Sequence, residues 1–226
     1  TGLIDIFEIV NFVLTFVLML FYIISTYTYP ENNSFRKRTN DTINDIEIYI
    51  IIILFLHFVI KFYISQARFI FMFELVTIID YASIICLFLA KLSFPSEDAK
   101  YFLRMFRMIR VVYLFKIEVF LQKRFNETVR YSYKLGIYFI ALLSLSTSLI
   151  LEIENKNYRD EFGDMETMQT NKKKAISQLF RFHDMIYFEL VTMTTIGFGD
   201  ITPKTWIARY IVIITIVSLV VVILPV

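Results

Sequence analysis

The chain has 226 residues, 57% of them hydrophobic and 17% aromatic, with only 5 Gly and 4 Pro. Soluble domains are about 45–50% apolar and leave much of their surface in water, so this composition excludes an ordinary soluble enzyme and a disordered chain, and points to lipid as the solvent. Lys+Arg (23) and Asp+Glu (21) nearly cancel to a formal charge of +2, which gives no footing for nucleic acid.

A membrane helix needs roughly 20 mostly apolar residues. The first run, 9–29, is uncharged; no basic segment precedes it, so it does not read as a signal peptide. The second, 48–64, is interrupted only by Lys61, and the third, 75–90, only by Asp80. A fourth, 101–121, is apolar but studded with basic residues, while 135–151 and 210–226 are uncharged. Six spans are therefore expected. Ile50-Ile51-Ile52-Ile53 has high β-propensity. Lipid nevertheless demands internally satisfied backbones, and the runs lack the alternation of barrel strands, so helices are expected throughout. Residues 152–181, with Lys172-Lys173-Lys174, read as an exposed loop. The apolar stretch 182–193 is too short to span and fits a re-entrant half-helix. With Thr1 at the start and an apolar run at Val226, the chain is expected to be an excerpt of a longer protein. The single cysteine, Cys86, excludes an intrachain disulfide and a zinc cluster and reads as a packing residue. His57 and His183 are too few and too far apart to suggest a metal site.

After the half-helix comes Thr194-Thr195-Ile196-Gly197-Phe198-Gly199-Asp200. Successive carbonyls of a loop point to one side only if alternate residues take opposite-handed backbone angles. Gly197 and Gly199 reach positive φ without steric cost. Ile196 and Phe198 can then turn away and pack behind the loop, and the Thr195 hydroxyl adds an oxygen at the inner end. This stretch resembles the selectivity filter of six-transmembrane, voltage-gated-like potassium channels in its Gly-Phe-Gly form, where four copies of the loop replace the ion's water shell with carbonyls.

The resemblance implies an all-α membrane protein with a four-helix voltage-sensor-like bundle over 1–121, a linker over 122–131, and a pore domain over 132–226. That domain comprises outer helix, external loop, pore helix, filter and inner helix. It also implies assembly with three further copies or closely related subunits in a lipid bilayer. K+ is the permeant ion, held at Thr195 to Phe198 within a filter formed by Thr195, Ile196, Gly197, Phe198 and Gly199, and no organic cofactor is expected. Asp184, Tyr187 and Phe188 match the Asp-x-x-aromatic-aromatic run that precedes such filters, with Tyr187 where tryptophan is frequent. A bond from the Tyr187 hydroxyl to Asp200 is the expected filter brace. The half-helix turns its carbonyl end, the negative end of its dipole, toward the cavity, which favours cations. Glu189, on the same helix, has no counterpart in this scheme.

Arg104, Arg107, Arg110 and Lys116 fall on a spacing of three, with Tyr113 in the missing slot. The stripe resembles the fourth helix of voltage sensors; the other reading of it is an amphipathic helix lying on the membrane surface. Moving one charge through the full field is worth about 2.3 kcal/mol per 100 mV, so three arginines in each of four chains supply tens of kcal/mol. Tyr113 makes the expected response shallower. Glu47 and Asp80 match the sensor's counter-charges. His57 stands where the inner acid belongs, so gating is expected to depend on pH where histidine titrates.

At the end of the chain, Leu224-Pro225-Val226 resembles the Pro-Val of inner helices, where proline frees a helix carbonyl and permits a kink. The hinge-glycine position falls at Ser218, and this helix has no glycine. The filter side faces outward, which places both ends of the excerpt in the cytoplasm, on a plasma, ciliary or organellar membrane. The sequons Asn32-Asn33-Ser34 and Asn40-Asp41-Thr42 then fall in the first external loop, and Asn126-Glu127-Thr128 on the inner side. Three other readings stand beside this one. A channel of this fold can be gated by a cytoplasmic ligand, Ca2+ or cyclic nucleotide, through domains beyond Val226. A secondary transporter needs repeats between halves, and none is visible. An intramembrane enzyme needs a catalytic pair, which Asp80 and His57 do not make.

Overall fold

The computed structural model describes residues 2–28, 34–65, 72–91, 103, 108, 109, 111, 127–163 and 179–223. Regular structure among them is helical, as six helices, and three of these are long and apolar enough to cross a membrane. The chain is an all-α membrane protein. It divides into two compact units, Thr1–Ile117 and Glu118–Val226.

The first unit contains α1 (Gly2–Thr28), α2 (Ser34–Ile64) and α3 (Leu75–Lys91). α2 packs against both neighbours, around Leu18, Ile50, Ile51, Leu54, Ile84 and Leu87. Its burial pattern differs from that of a soluble bundle, because polar groups share the inside while apolar ones cover the outside. Asn11, Thr15, Glu47, His57, Thr77, Asp80 and Ser83 are buried, while Val13, Phe16, Ile52, Phe55, Leu56, Ile85 and Phe88 are exposed. Exposed apolar surface on this scale is costly in water and neutral in hydrocarbon.

α2 begins about four turns before the expected span. No Gly or Pro interrupts 34–47, and Ile43 and Glu47, one turn apart, are both buried and carry the inner seam beyond the apolar run. The sequon Asn40-Asp41-Thr42 therefore lies in a helix, with the Thr42 hydroxyl donating to the Arg38 carbonyl at 2.9 Å; Asn32 and Asn33 lie outside the described residues. Of the basic fourth span, only 103, 108, 109 and 111 are described. Met108 and Val111, three apart, are buried, and Arg104, Arg107, Arg110 and Lys116 lie outside the described residues.

The second unit contains α4 (Glu127–Gly163), α5 (Phe182–Met193) and α6 (Trp206–Ile223). α4 packs against both α5 and α6. Ser144, Ser146, Thr147 and Ser148 are all buried on it. The three serines donate to carbonyls on the preceding turn, Ser144 to Ile140 at 2.7 Å, Ser146 to Leu142 at 2.9 Å and Ser148 to Leu145 at 2.8 Å. Small residues of this kind let backbones approach closely in lipid.

The expected exposed loop over 152–181 is corrected at its start. α4 runs about three turns further than the apolar span, and Glu154 is wholly buried. The helix continues because Ile150, Leu151 and Glu154 extend its inner face, and Arg159 reaches Glu152 at 4.0 Å.

Candidate functional site

The short helix α5 starts without a Ser, Thr or Asn cap. Instead Asp184, in its first turn, accepts the Arg181 N–H at 2.8 Å through Oδ2, and His183 Nε2 lies 3.2 Å from Oδ1. Such a carboxylate satisfies an otherwise orphaned donor and suits the positive end of the helix. Phe182, Met185, Phe188 and Glu189 form the buried face of α5.

The far end of α5 shapes the loop. The Thr194 N–H donates to the Leu190 carbonyl at 2.9 Å, Thr195 N–H to Thr192 at 3.0 Å, and Ile196 and Gly197 N–H both to Val191, at 3.1 and 3.3 Å. The Thr194 hydroxyl also donates to Leu190 at 2.7 Å. A trans peptide holds each carbonyl antiparallel to the next N–H. With the amides of 195–197 turned back on the helix end, the carbonyls of Thr194, Thr195 and Ile196 face away from it.

The backbone then alternates. Thr195 has φ 62°, Gly197 φ 62° and Gly199 φ 75°. The glycine angles are as expected from the spacing. Positive φ at Thr195 was not anticipated, although the same alternation carried two residues back reaches it. For an L-residue this costs about 1–2 kcal/mol, held by the four amide contacts just described. A Cβ built on Gly197 or Gly199 meets nothing within 4 Å, so within this chain only φ demands glycine there. One expectation is not met in the single chain: Ile196 and Phe198 are 57% and 67% exposed, not packed behind the loop.

Three contacts frame the loop. The Tyr187 hydroxyl is engaged by the Asp200 carboxylate. Asn155 on α4 makes a two-way clasp on the residue before α5, its Nδ2 donating to the Phe180 carbonyl at 2.9 Å and its Oδ1 accepting the Phe180 N–H at 2.9 Å. Glu154, next in sequence, takes the other end: Oε1 accepts the Thr205 N–H at 2.9 Å and the Thr205 hydroxyl at 2.7 Å. Neighbouring side chains of one helix therefore hold the entry and the exit of the 180–205 segment. Tyr158 adds to this, edge-on to the Phe180 ring at 5.6 Å and 4.8 Å beneath Lys204 Nζ. Sequence reasoning missed Glu154 and Asn155 because a polar pair in a charged stretch carries no signal of burial.

In the first unit, Glu47, His57 and Asp80 are buried, joined by Asn11 and Thr15 of α1, which sequence reading passed over inside an uncharged span. Ser218 is half-buried on α6, three residues past buried Thr215. Pro225 lies outside the described residues. Cys86 is half-buried on α3. Among the described residues no cluster of His, Cys, Asp and Glu forms a metal site.

Comparison with known proteins agrees with this layout. Residues 137–226, which hold most of α4 together with α5, the loop and α6, match the model of the family described as Ion channel. Over nearly its whole length the chain is similar to a hyperpolarization-activated voltage-gated potassium channel of Methanocaldococcus jannaschii. The two are 25% identical over 215 residues, covering 93% of this chain and 87% of that protein. The chain is thus similar along its length to a voltage-gated potassium channel, and its C-terminal part matches an ion-channel domain.

Proposed function

We propose that this chain is one subunit of a tetrameric, potassium-selective channel, conducting K+ through the backbone oxygens of 195–199 and opening when Arg104, Arg107, Arg110 and Lys116 move in the membrane field. The observation that supports it most is the alternation of positive φ at Thr195, Gly197 and Gly199 behind a helix end that absorbs the loop's amides. Alternate handedness lines up carbonyls, and a ring of carbonyls substitutes for the hydration shell of a weakly hydrated monovalent cation. The exposed apolar faces of Ile196, Phe198 and the inner helix fit burial against neighbouring subunits. Glu47, His57 and Asp80, buried in the first unit, fit partners for the basic helix.

The test is patch-clamp of the full chain in lipid under varied K+ gradients and voltage. The reversal potential is expected to follow K+ and ignore Na+; a reversal potential indifferent to K+ sinks the reading. Gating by a cytoplasmic ligand is the second reading, favoured by the interruption of the basic stripe at Tyr113. Activation by internal Ca2+ or cyclic nucleotide at fixed voltage would select it.

The Tyr187–Asp200 contact gives a further expectation. Tyr187→Phe removes the hydroxyl that meets the Asp200 carboxylate. K+ current is expected to decline several-fold faster during sustained opening. Equal decay times in the two proteins would leave Tyr187 as a packing residue only.

A further inference from the structure

Glu189 has no part in the ion pathway described above, yet it is among the most deeply buried side chains, 2% exposed between α5 and α4. One oxygen, Oε1, has no hydrogen-bond partner among the described residues. The carboxyl does have one neighbour, the hydroxyl of Ser146 on α4. That hydroxyl lies 2.9 Å from the Leu142 carbonyl and 3.2 Å from the Leu143 carbonyl, and donates back to its own helix.

Proton counting decides the matter. A serine hydroxyl carries one proton. While Ser146 donates to Leu142, its oxygen can only accept, so the bond to Glu189 needs a proton on the glutamic acid. An ionised Glu189 would have to draw the Ser146 proton away from the helix carbonyl, and its second oxygen would still lack a donor. Among the described residues no charge compensates it. The α4 residues around Ser146, 142–150, are Leu, Ser, Thr and Ile. On α6 the titratable groups are Arg209, whose Nε donates to the Pro203 carbonyl at 3.1 Å, and exposed Tyr210. On α5 itself His183 and Asp184 pair at the opposite end, and Tyr187 turns to Asp200.

We infer that Glu189 is a proton-binding site that positions the short helix: protonated, it donates to Ser146 and holds α5 against α4; ionised, it loosens that contact and the loop carried by α5. Burial is the dominant cause and pushes the Glu189 carboxyl up to about 7 from its ordinary 4.5, outweighing the lowering that the Ser146 hydroxyl exerts only when it turns from Leu142 to the carboxylate. The sign follows from linkage. A folded-state value above the unfolded one gives a contribution fully present at acid pH and lost as pH rises toward 7. The consequence for conduction rests on the potassium-channel reading; the protonation does not.

The experiment follows thermal unfolding of the purified full chain in lipid from about pH 5 to pH 8, for wild type and Glu189→Gln, whose amide donates to Ser146 at every pH. Wild type is expected to lose stability relative to Glu189→Gln as pH rises, so that the gap between the two profiles opens from about pH 5 and levels off above about pH 7. Parallel profiles overturn the inference, because a purely structural glutamate shifts the profile without changing its slope. If the amide variant does not fold, Glu189→Leu serves, with the same expected flatness. In a conduction arm, wild-type K+ current is expected to fall several-fold relative to Glu189→Gln between pH 6 and pH 8, any dependence due to His57 being common to both. Wild-type current as steady as that of the variant overturns the coupling to the loop. Absence of K+ flux in every variant at every pH overturns the channel reading instead, and leaves the unfolding profiles to decide Glu189.

Discussion

Glu154→Ala is expected to lower the melting temperature of the full chain by about 5–10 °C and to disable the loop it supports. The Glu154 carboxylate is wholly buried and receives two donors from one residue, the Thr205 N–H and the Thr205 hydroxyl. Thr205 is also the cap of the inner helix, since its hydroxyl oxygen accepts the Ala208 N–H at 3.3 Å. Alanine removes the shared acceptor, strands the donors away from water and opens a cavity. Hydrogen bonds to a charged group are worth about 1.5–3 kcal/mol each, and breaking a buried charged contact from one side costs about 3–5 kcal/mol. Glu154→Gln keeps an acceptor at Oε1 and places an amide where Oε2 has no partner among the described residues, so it should cost roughly half as much. Thermal unfolding of the three proteins in the same lipid checks the order. A melting temperature unchanged in Glu154→Ala would mean that the inner-helix cap does not depend on α4.

Gly197→Ala is expected to abolish K+ flux while leaving helical content intact. Space is not the issue, because a Cβ at Gly197 meets nothing within 4 Å in this chain. The cost lies in φ, which is +62° and disfavours an L-residue by about 1–2 kcal/mol. In the proposed tetramer that multiplies to about 4–8 kcal/mol for one ring of carbonyls, enough to populate a collapsed or reoriented loop in place of the ordered one. Gly136 supplies the control. It lies within α4, a Cβ there also meets nothing, and its φ is not in the left-handed region. Gly136→Ala should therefore be neutral or slightly stabilising, by up to about 1 kcal/mol. Ion-flux assays on reconstituted protein, with circular dichroism alongside, separate the two. Equal flux in both variants would remove positive φ from the mechanism.

The parts of this molecule that were legible before folding share a property: their signal is local. Apolar runs of membrane length report lipid because no distant partner is needed to make them insoluble. Gly197 and Gly199 report a loop of alternating handedness because glycine spacing is a statement about the backbone itself. Asp80 and Glu47 stand out because a carboxylate in or beside an apolar run has few other uses. Helix ends were read less well. Buried residues beyond the apolar runs, Ile43 and Glu47 in α2 and Glu154 in α4, carry the helices on, so α2 and α4 overrun their apolar spans toward Ser34 and Gly163.

What stayed hidden depended on neighbours far along the chain. Glu154 meets Thr205, Asn155 meets Phe180, and Glu189 meets Ser146. Each of these residues looks like an ordinary polar position on its own helix. Thr195 lies between the two kinds, since its alternation is local but its strain is held by the carbonyl of Val191 and its neighbours. Residue order alone therefore settled that the chain is helical, lives in lipid and carries a glycine-spaced loop between a half-helix and a last span. Folding settled which polar groups grip that loop, because a hydrogen bond between α4 and 180–205 exists only once the helices are packed and water is gone from between them.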